Sequence, residues 1–174
     1  MADQSRAELC AFLQPGELVT AENPIRVKTV LGSCLAITMR DPRLGLTAIA
    51  HCLLPEAGVR LDAMPREEAL RYVDTTIELM LRGFAQRGAA LGDLEIKLFG
   101  GADSLAEPNR GCGYCVGRRN VESALAILGA RGLTVAASGT GGRQGRTIEF
   151  NTGTGEVYVK TLPAQRAARS VERS

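Results

Sequence analysis

Short apolar runs separated by turn residues fill the first third of the chain, and helical periodicity begins only after it. Glu17 to Ala21 reads as a short strand between the breakers Pro15-Gly16 and Asn23-Pro24. Ile25 to Leu31 reads as a second strand, interrupted by Gly32-Ser33. From Cys34 to Arg40 the pattern alternates, with Leu35, Ile37 and Met39 on one face and Ala36, Thr38 and Arg40 on the other. Asp41-Pro42 opens a turn that Gly45 helps to close, and Leu46 to Leu54 is the next strand, ended by Pro55. The spacing then predicts one helix over Arg66 to Arg87. In it Ala69, Tyr72, Val73, Ile77, Met80 and Phe84 recur at steps of three or four residues, with Gly88 as C-cap. Leu94 to Phe99 is a strand closed by Gly100-Gly101. A loop from Ala102 to about Gly117 leads to a second helix over about Arg118 to Ala130, with Val121, Leu125 and Leu128 facing inward. Leu133 to Ala137 is a strand, SGTGGRQGR is a glycine-rich loop, and Thr147 to Asn151 with Glu156 to Leu162 make a hairpin.

Consecutive strands outnumber helices, which predicts an α+β fold and not a doubly wound sheet. Residues 13–163 are expected to form one domain, residues 1–12 a flexible polar N-terminal segment and residues 164–174 a flexible tail. The 174 residues suffice for a real core, built from Leu, Val, Ile and Ala because Trp is absent and aromatics are 4%. A net charge of +2 is too small to argue for nucleic acid or an acidic membrane surface. No apolar run reaches membrane-spanning length, and the N-terminus lacks the pattern of a signal peptide. A cytoplasmic chain is therefore expected, in which the odd set Cys10, Cys34, Cys52, Cys112 and Cys115 would stay as free thiols.

His51 is the sole histidine and sits near the end of the apolar strand AIAHCLLP. It reads equally as a hydrogen-bonded core residue or as a catalytic base. Cys34 follows the small-residue break Gly32-Ser33, where a reacting carbonyl can approach closely and backbone N–H groups are left for an oxyanion. The competing reading is a buried structural thiol. Cys112-Gly113-Tyr114-Cys115 has the spacing of a zinc or redox pair, but lacks further ligands and the strand-to-helix setting of a redox motif. SGTGGRQGR fails as a phosphate loop, since Arg146 stands where a lysine is needed and a strand follows.

The residues also resemble a known family. LQPGELVTAENPIRVKTVLGSCLAITMRDPRLGLTAIAHCLLP is similar to the opening of the chemoreceptor glutamine deamidases, the CheD family. EIKLFGGA, VGRRNVESAL and GGRQGRTIEFNTGTGEVYVKTL resemble its later blocks, so the likeness runs from about Leu13 to Leu162. The resemblance implies a three-layered α/β/β domain with mixed sheets and two main helices, similar to the cysteine-hydrolase domain of deamidating toxins. It implies a protein-glutamine glutaminase that converts glutamine side chains of methyl-accepting chemotaxis receptors to glutamate, and also acts on glutamyl methyl esters. Carried over by position, Cys34 would be the nucleophile, His51 the base and Thr29 the third member. Gly32 and Ser33 are the expected oxyanion-side residues, and the chemistry needs no metal or organic cofactor. Receptors are the expected partners, together with a CheC-type phosphatase. Nucleic acid and membrane insertion are not expected. The departures are Arg118 at a usually acidic position and the two loop cysteines. Two alternatives stay open: a non-catalytic adaptor that binds receptors or the phosphatase, and a redox or metal module built on Cys112 and Cys115.

Overall fold

The computed structural model describes residues 9–103 and 115–163. They form two β-sheets and a helical layer. The outer sheet has the order β1 (Cys10–Phe12), β3 (Arg26–Leu31), β8 (Arg146–Asn151), β9 (Val157–Thr161). The middle sheet has the order β2 (Leu18–Ala21), β5 (Leu46–Cys52), β4 (Leu35–Asp41), β6 (Glu95–Gly100), β7 (Val135–Thr140). Each sheet is mixed, because β1 runs parallel to β3 and β7 parallel to β6 while the other pairs are antiparallel. Helices α2 (Val73–Gln86) and α3 (Val116–Ala130) cover the far face of the middle sheet. The architecture is the expected α+β fold with mixed sheets, in the layer order sheet, sheet, helices.

Burial follows from this layering. The middle sheet is covered on both faces, so its strands need apolar residues on both. All seven residues of β5 are buried. Leu35, Ile37, Met39, Ala50 and Cys52 pack toward Ile77, Met80, Phe84 and Leu128 of the helices. Ala36, Ile49 and Phe99 point the other way, against Val27, Leu31, Ile148 and Phe150 of the outer sheet. Leu13 seals the same inter-sheet core.

Four expectations change. Residues 10–12, placed in the flexible N-terminal segment, form β1 in register with Arg26 to Lys28 of β3. The single long helix is broken: α1 (Arg66–Ala69) stops, and Tyr72 is extended at φ −112° and ψ 141°. The break survives because its backbone finds partners. Leu53 and Leu54 N–H donate to Arg71 O, and Val73 N–H donates to Leu54 O. Ala69 and Val73 keep their four-residue spacing across the interruption, so the apolar stripe hides it. The strand expected over Leu133 to Ala137 is shifted to Val135–Thr140 and takes in the start of the glycine-rich loop. Gly139 fits there because a Cβ would lie 3.0 Å from the Phe99 ring. The last change concerns the thiols. Cys10, Cys34 and Cys52 are free, but Cys115 is disulfide-bonded. Cys112 and the tail 164–174 lie outside the described residues.

Candidate active site

Strand register places His51 directly opposite Ala36, on the face of the middle sheet that meets the outer sheet. Cys34 lies two residues before Ala36, just ahead of β4, and packs on the same inter-sheet core. The cysteine and histidine are therefore diagonal neighbours across the end of the β4–β5 ladder. Thr29 approaches from the outer sheet, where the buried, inward-facing positions of β3 are Val27, Thr29 and Leu31. Thr29 and His51 thus meet between the layers, beside the inter-sheet core that Cys34 also packs against.

The hydrogen bonds set the imidazole's tautomer. Thr29 Oγ1 lies 2.8 Å from Leu13 O and 2.8 Å from His51 Nδ1. The carbonyl only accepts, so the single hydroxyl proton goes to Leu13 and the hydroxyl accepts from Nδ1–H. Nε2 then carries the lone pair. It is buried and has no hydrogen-bond partner among the described residues. A histidine serving only the core would leave a buried acceptor unsatisfied, at a cost of about 1–3 kcal/mol. This weighs against the purely structural reading of His51. The backbone of His51 is clamped as well, with its N–H donating to Glu17 O and its carbonyl accepting from Gly16 N–H.

Burial lowers the His51 pKa below its ordinary 6.5, partly opposed by Leu13 and Glu17. Burial pushes the Cys34 thiol up, with a backbone N–H pulling it partly back. Both shifts favour a neutral thiol beside a neutral imidazole at rest. Cys52, the neighbour of His51 in sequence, faces the helices, and burial raises its thiol to about 12. It is no rival nucleophile.

The turn before β4 is held from three directions. Gly32 O accepts from Ala102 N–H, Cys34 O from Gly101 N–H, and Ser33 O from the Asn120 side-chain amide. Cys34 and Gly101 would exchange two bonds in a continued ladder. Only the bond into Cys34 O is made, because Gly100 and Gly101 turn away at φ +106° and +64°. Among the described residues, no N–H of Gly32, Ser33 or Cys34 donates to a backbone carbonyl. Gly100 has no room for a side chain, since a Cβ would fall 2.2 Å from Cys34 O. By its pattern alone, Gly100-Gly101 reads only as a strand end. The two glycines in succession were the available signal.

Arg146 of β8, paired with Leu31, hydrogen-bonds the carbonyls of Gly139 and Gly141, and Asp103 N–H donates to Gly142 O. The glycine-rich loop thus spends its carbonyls on its own arginine and on the segment beside the cysteine turn. A separate cavity of about 340 Å³ lies on the helix side of the middle sheet, near Leu18, Leu46, Met80 and Arg82. None of Thr29, Cys34 or His51 lines it. Among the described residues no group of three or more His, Cys, Asp or Glu side chains is arranged to hold a metal ion.

Comparison with known proteins identifies the family. The family described as CheD chemotactic sensory transduction matches residues 53–161. The probable chemoreceptor glutamine deamidase CheD 2 of Geobacter sulfurreducens is 45% identical over 151 residues, covering 87% of this chain and 89% of the relative. The chemoreceptor glutamine deamidase CheD of Thermotoga maritima is 36% identical over 148 residues, covering 84% and 88%. Among solved structures, the hypothetical protein YfiH of Bacillus licheniformis aligns at TM-score 0.42 and 12% identity, over 80% of this chain and 61% of its own.

Proposed function

This chain belongs to the CheD family, and from that premise we propose that it hydrolyses the side-chain amides of chemoreceptor glutamines to glutamate, with Cys34 as nucleophile. The observation that carries the reading is the Nε2 of His51, without a partner among the described residues and fixed as acceptor by Thr29, on the sheet face that it shares with Cys34. His51 takes the thiol proton as the sulfur attacks the carboxamide carbon. Burial disfavours the charged form of both groups, so His51 acts as a general base during attack. The N–H groups at Ser33 and Cys34, free of backbone acceptors, receive the developing oxyanion. His51 returns the proton to nitrogen, ammonia leaves, and a thioester remains. Water attacks the thioester with His51 again as base, releasing glutamate and the thiol. Thr29 holds the ring in one tautomer throughout, as third members of such triads do. A glutamyl methyl ester offers the same carbonyl, with methanol as the leaving group.

Each turnover replaces a neutral amide with a carboxylate on a receptor helix, which changes the charge pattern along that face. The test is mass spectrometry of receptor cytoplasmic domains after incubation, with ammonia measured in parallel. Wild type should add about 1 Da at particular glutamines, the difference between amide and acid. Cys34→Ala should add none while retaining the fold. Full activity in Cys34→Ala would overturn the mechanism. A wild-type protein that binds receptor without releasing ammonia would leave the adaptor reading in its place.

A further inference from the structure

Asn120 lies in the second turn of α3 and is fully buried. Its amide nitrogen donates to Ser33 O at 2.9 Å and to Leu53 O at 3.1 Å. Two carbonyl partners need donors, which assigns the nitrogen end of the side chain to them. These carbonyls have particular places. Leu35–Cys52 is the last pair of the β4–β5 ladder, so Ser33 and Leu53 flank the point where the two strands part. Cys34 follows Ser33 on one strand, and His51 precedes Leu53 by two residues on the other. One side chain therefore bridges the segments that carry the nucleophile and the base, just past the end of the β4–β5 ladder. One helical turn further, Ser123 Oγ donates to Pro55 O at 3.0 Å.

We propose that Asn120 is a positioning residue: its amide, shared by the Ser33 and Leu53 carbonyls, sets Cys34 within reach of His51. The inference rests on the Cys–His reading above. The β4–β5 ladder fixes Leu35 and Ala36 but ends before Cys34, and the backbone bonds into the turn come from Gly101 and Ala102, so Asn120 supplies the tie to the segment that follows His51. A displacement of about 1 Å between reacting groups costs on the order of 10²-fold in rate. A direct backbone bond in place of Asn120 would consume groups of the turn and draw Cys34 into the sheet. A side-chain bridge holds the turn while leaving its N–H groups unspent.

The test is a double-mutant cycle between Asn120 and His51, read by the rate at which iodoacetamide labels Cys34 in the full chain. Asn120→Leu removes both donors at similar size and adds no charge near the thiol, and Asn120→Ser retains one shorter donor. Labelling needs no receptor, so it reports even if receptor deamidation itself fails. Asn120→Leu should slow labelling by about the same factor as His51→Ala, and the double variant should be no slower than either. With receptor domains, kcat per folded molecule should fall roughly 10- to 100-fold with KM within about twofold. Asn120→Ser should fall between Leu and wild type in both assays. Ser123→Ala, which cuts a bond from the same helix face to Pro55, should lose stability and retain both rates. If Asn120→Leu does not fold, the cycle is run on Asn120→Ser. Independent, multiplying effects of the Asn120 and His51 changes would overturn the proposal. So would a labelling rate in a folded Asn120 variant equal to that of wild type.

Discussion

A single hydroxyl decides how the imidazole can act. Thr29 accepts from His51 Nδ1–H and donates to Leu13 O, so a residue of the outer sheet fixes the tautomer of a residue in the middle sheet. Thr29→Val keeps the β-branched shape and removes both bonds. It should cost about 1–3 kcal/mol of stability, because Leu13 O and Nδ1 are left unsatisfied in a buried place. It should also lower the deamidation rate by about tenfold or more, since the ring is then free to take the other tautomer. Urea denaturation beside the receptor assay checks both, and Thr29→Ser should restore most of each. A rate that survives in Thr29→Val would mean that the tautomer is held in some other way.

At the scale of elements, the site depends on a strand that ends abruptly. β6 pairs with β4 up to Leu35–Gly100 and then swings off at two left-handed glycines. This bend keeps the N–H of Cys34 out of the ladder and brings Gly101 against α3. A Cβ on Gly101 would stand 2.4 Å from Val121 Cγ2 and 2.9 Å from Gly117 O, at a φ of +64° that side chains disfavour. Gly101→Ala should therefore destabilise by about 2–4 kcal/mol. Of the two bonds from this segment to the turn, Gly101 N–H to Cys34 O and Ala102 N–H to Gly32 O, neither can stay undistorted. The thermal midpoint should fall, and Cys34 labelling should slow even well below it. Unchanged stability would show that α3 yields easily at this contact.

For the whole molecule, the buried histidine makes stability depend on pH. Its folded pKa lies below the ordinary 6.5, so the unfolded chain binds the proton more readily. His51 contributes stability above about pH 6.5, and that contribution is lost as the pH falls through and below this value. The carboxylates act in a lower window. Glu78 and Glu149 sit below their ordinary 4.5 chiefly through hydrogen bonds to Arg82 and Arg26. Glu95 is pushed up by burial but drawn lower overall by Lys97 and Arg40. Denaturation at pH 7.5 and 5.5 (on either side of about 6.5) isolates the histidine. Wild type should be less stable at the lower value, and the gap should shrink in His51→Gln. An equal gap in both proteins would place the pH dependence elsewhere.

The alternation of Cys34 to Arg40 and the apolar run around His51 set two adjacent strands of a doubly covered sheet, because the side-chain period of a strand is two wherever it lies. With that period, Cys34, Ala36, Ile49 and His51 had to share one face once β4 and β5 paired as a hairpin. The break at Gly32-Ser33 and the paired glycines after Phe99 were also legible, since glycine marks places where ordinary backbone cannot go. Contacts between distant segments were not legible. Residues 1–12 read together as a polar, frayed segment, yet Cys10 to Phe12 pair with β3 and lead into Leu13, whose carbonyl anchors Thr29. The helix break at residues 70–72 is invisible in the stripe, since Leu53 and Leu54, just beyond β5, supply its missing hydrogen bonds. Asn120 looks like one more polar residue on an amphipathic helix, and only packing buries it against two carbonyls. Local pattern fixes which face a side chain takes, because that depends on its own backbone. Which unpaired groups meet across the layers depends on where distant segments dock, and the tertiary fold alone decides that.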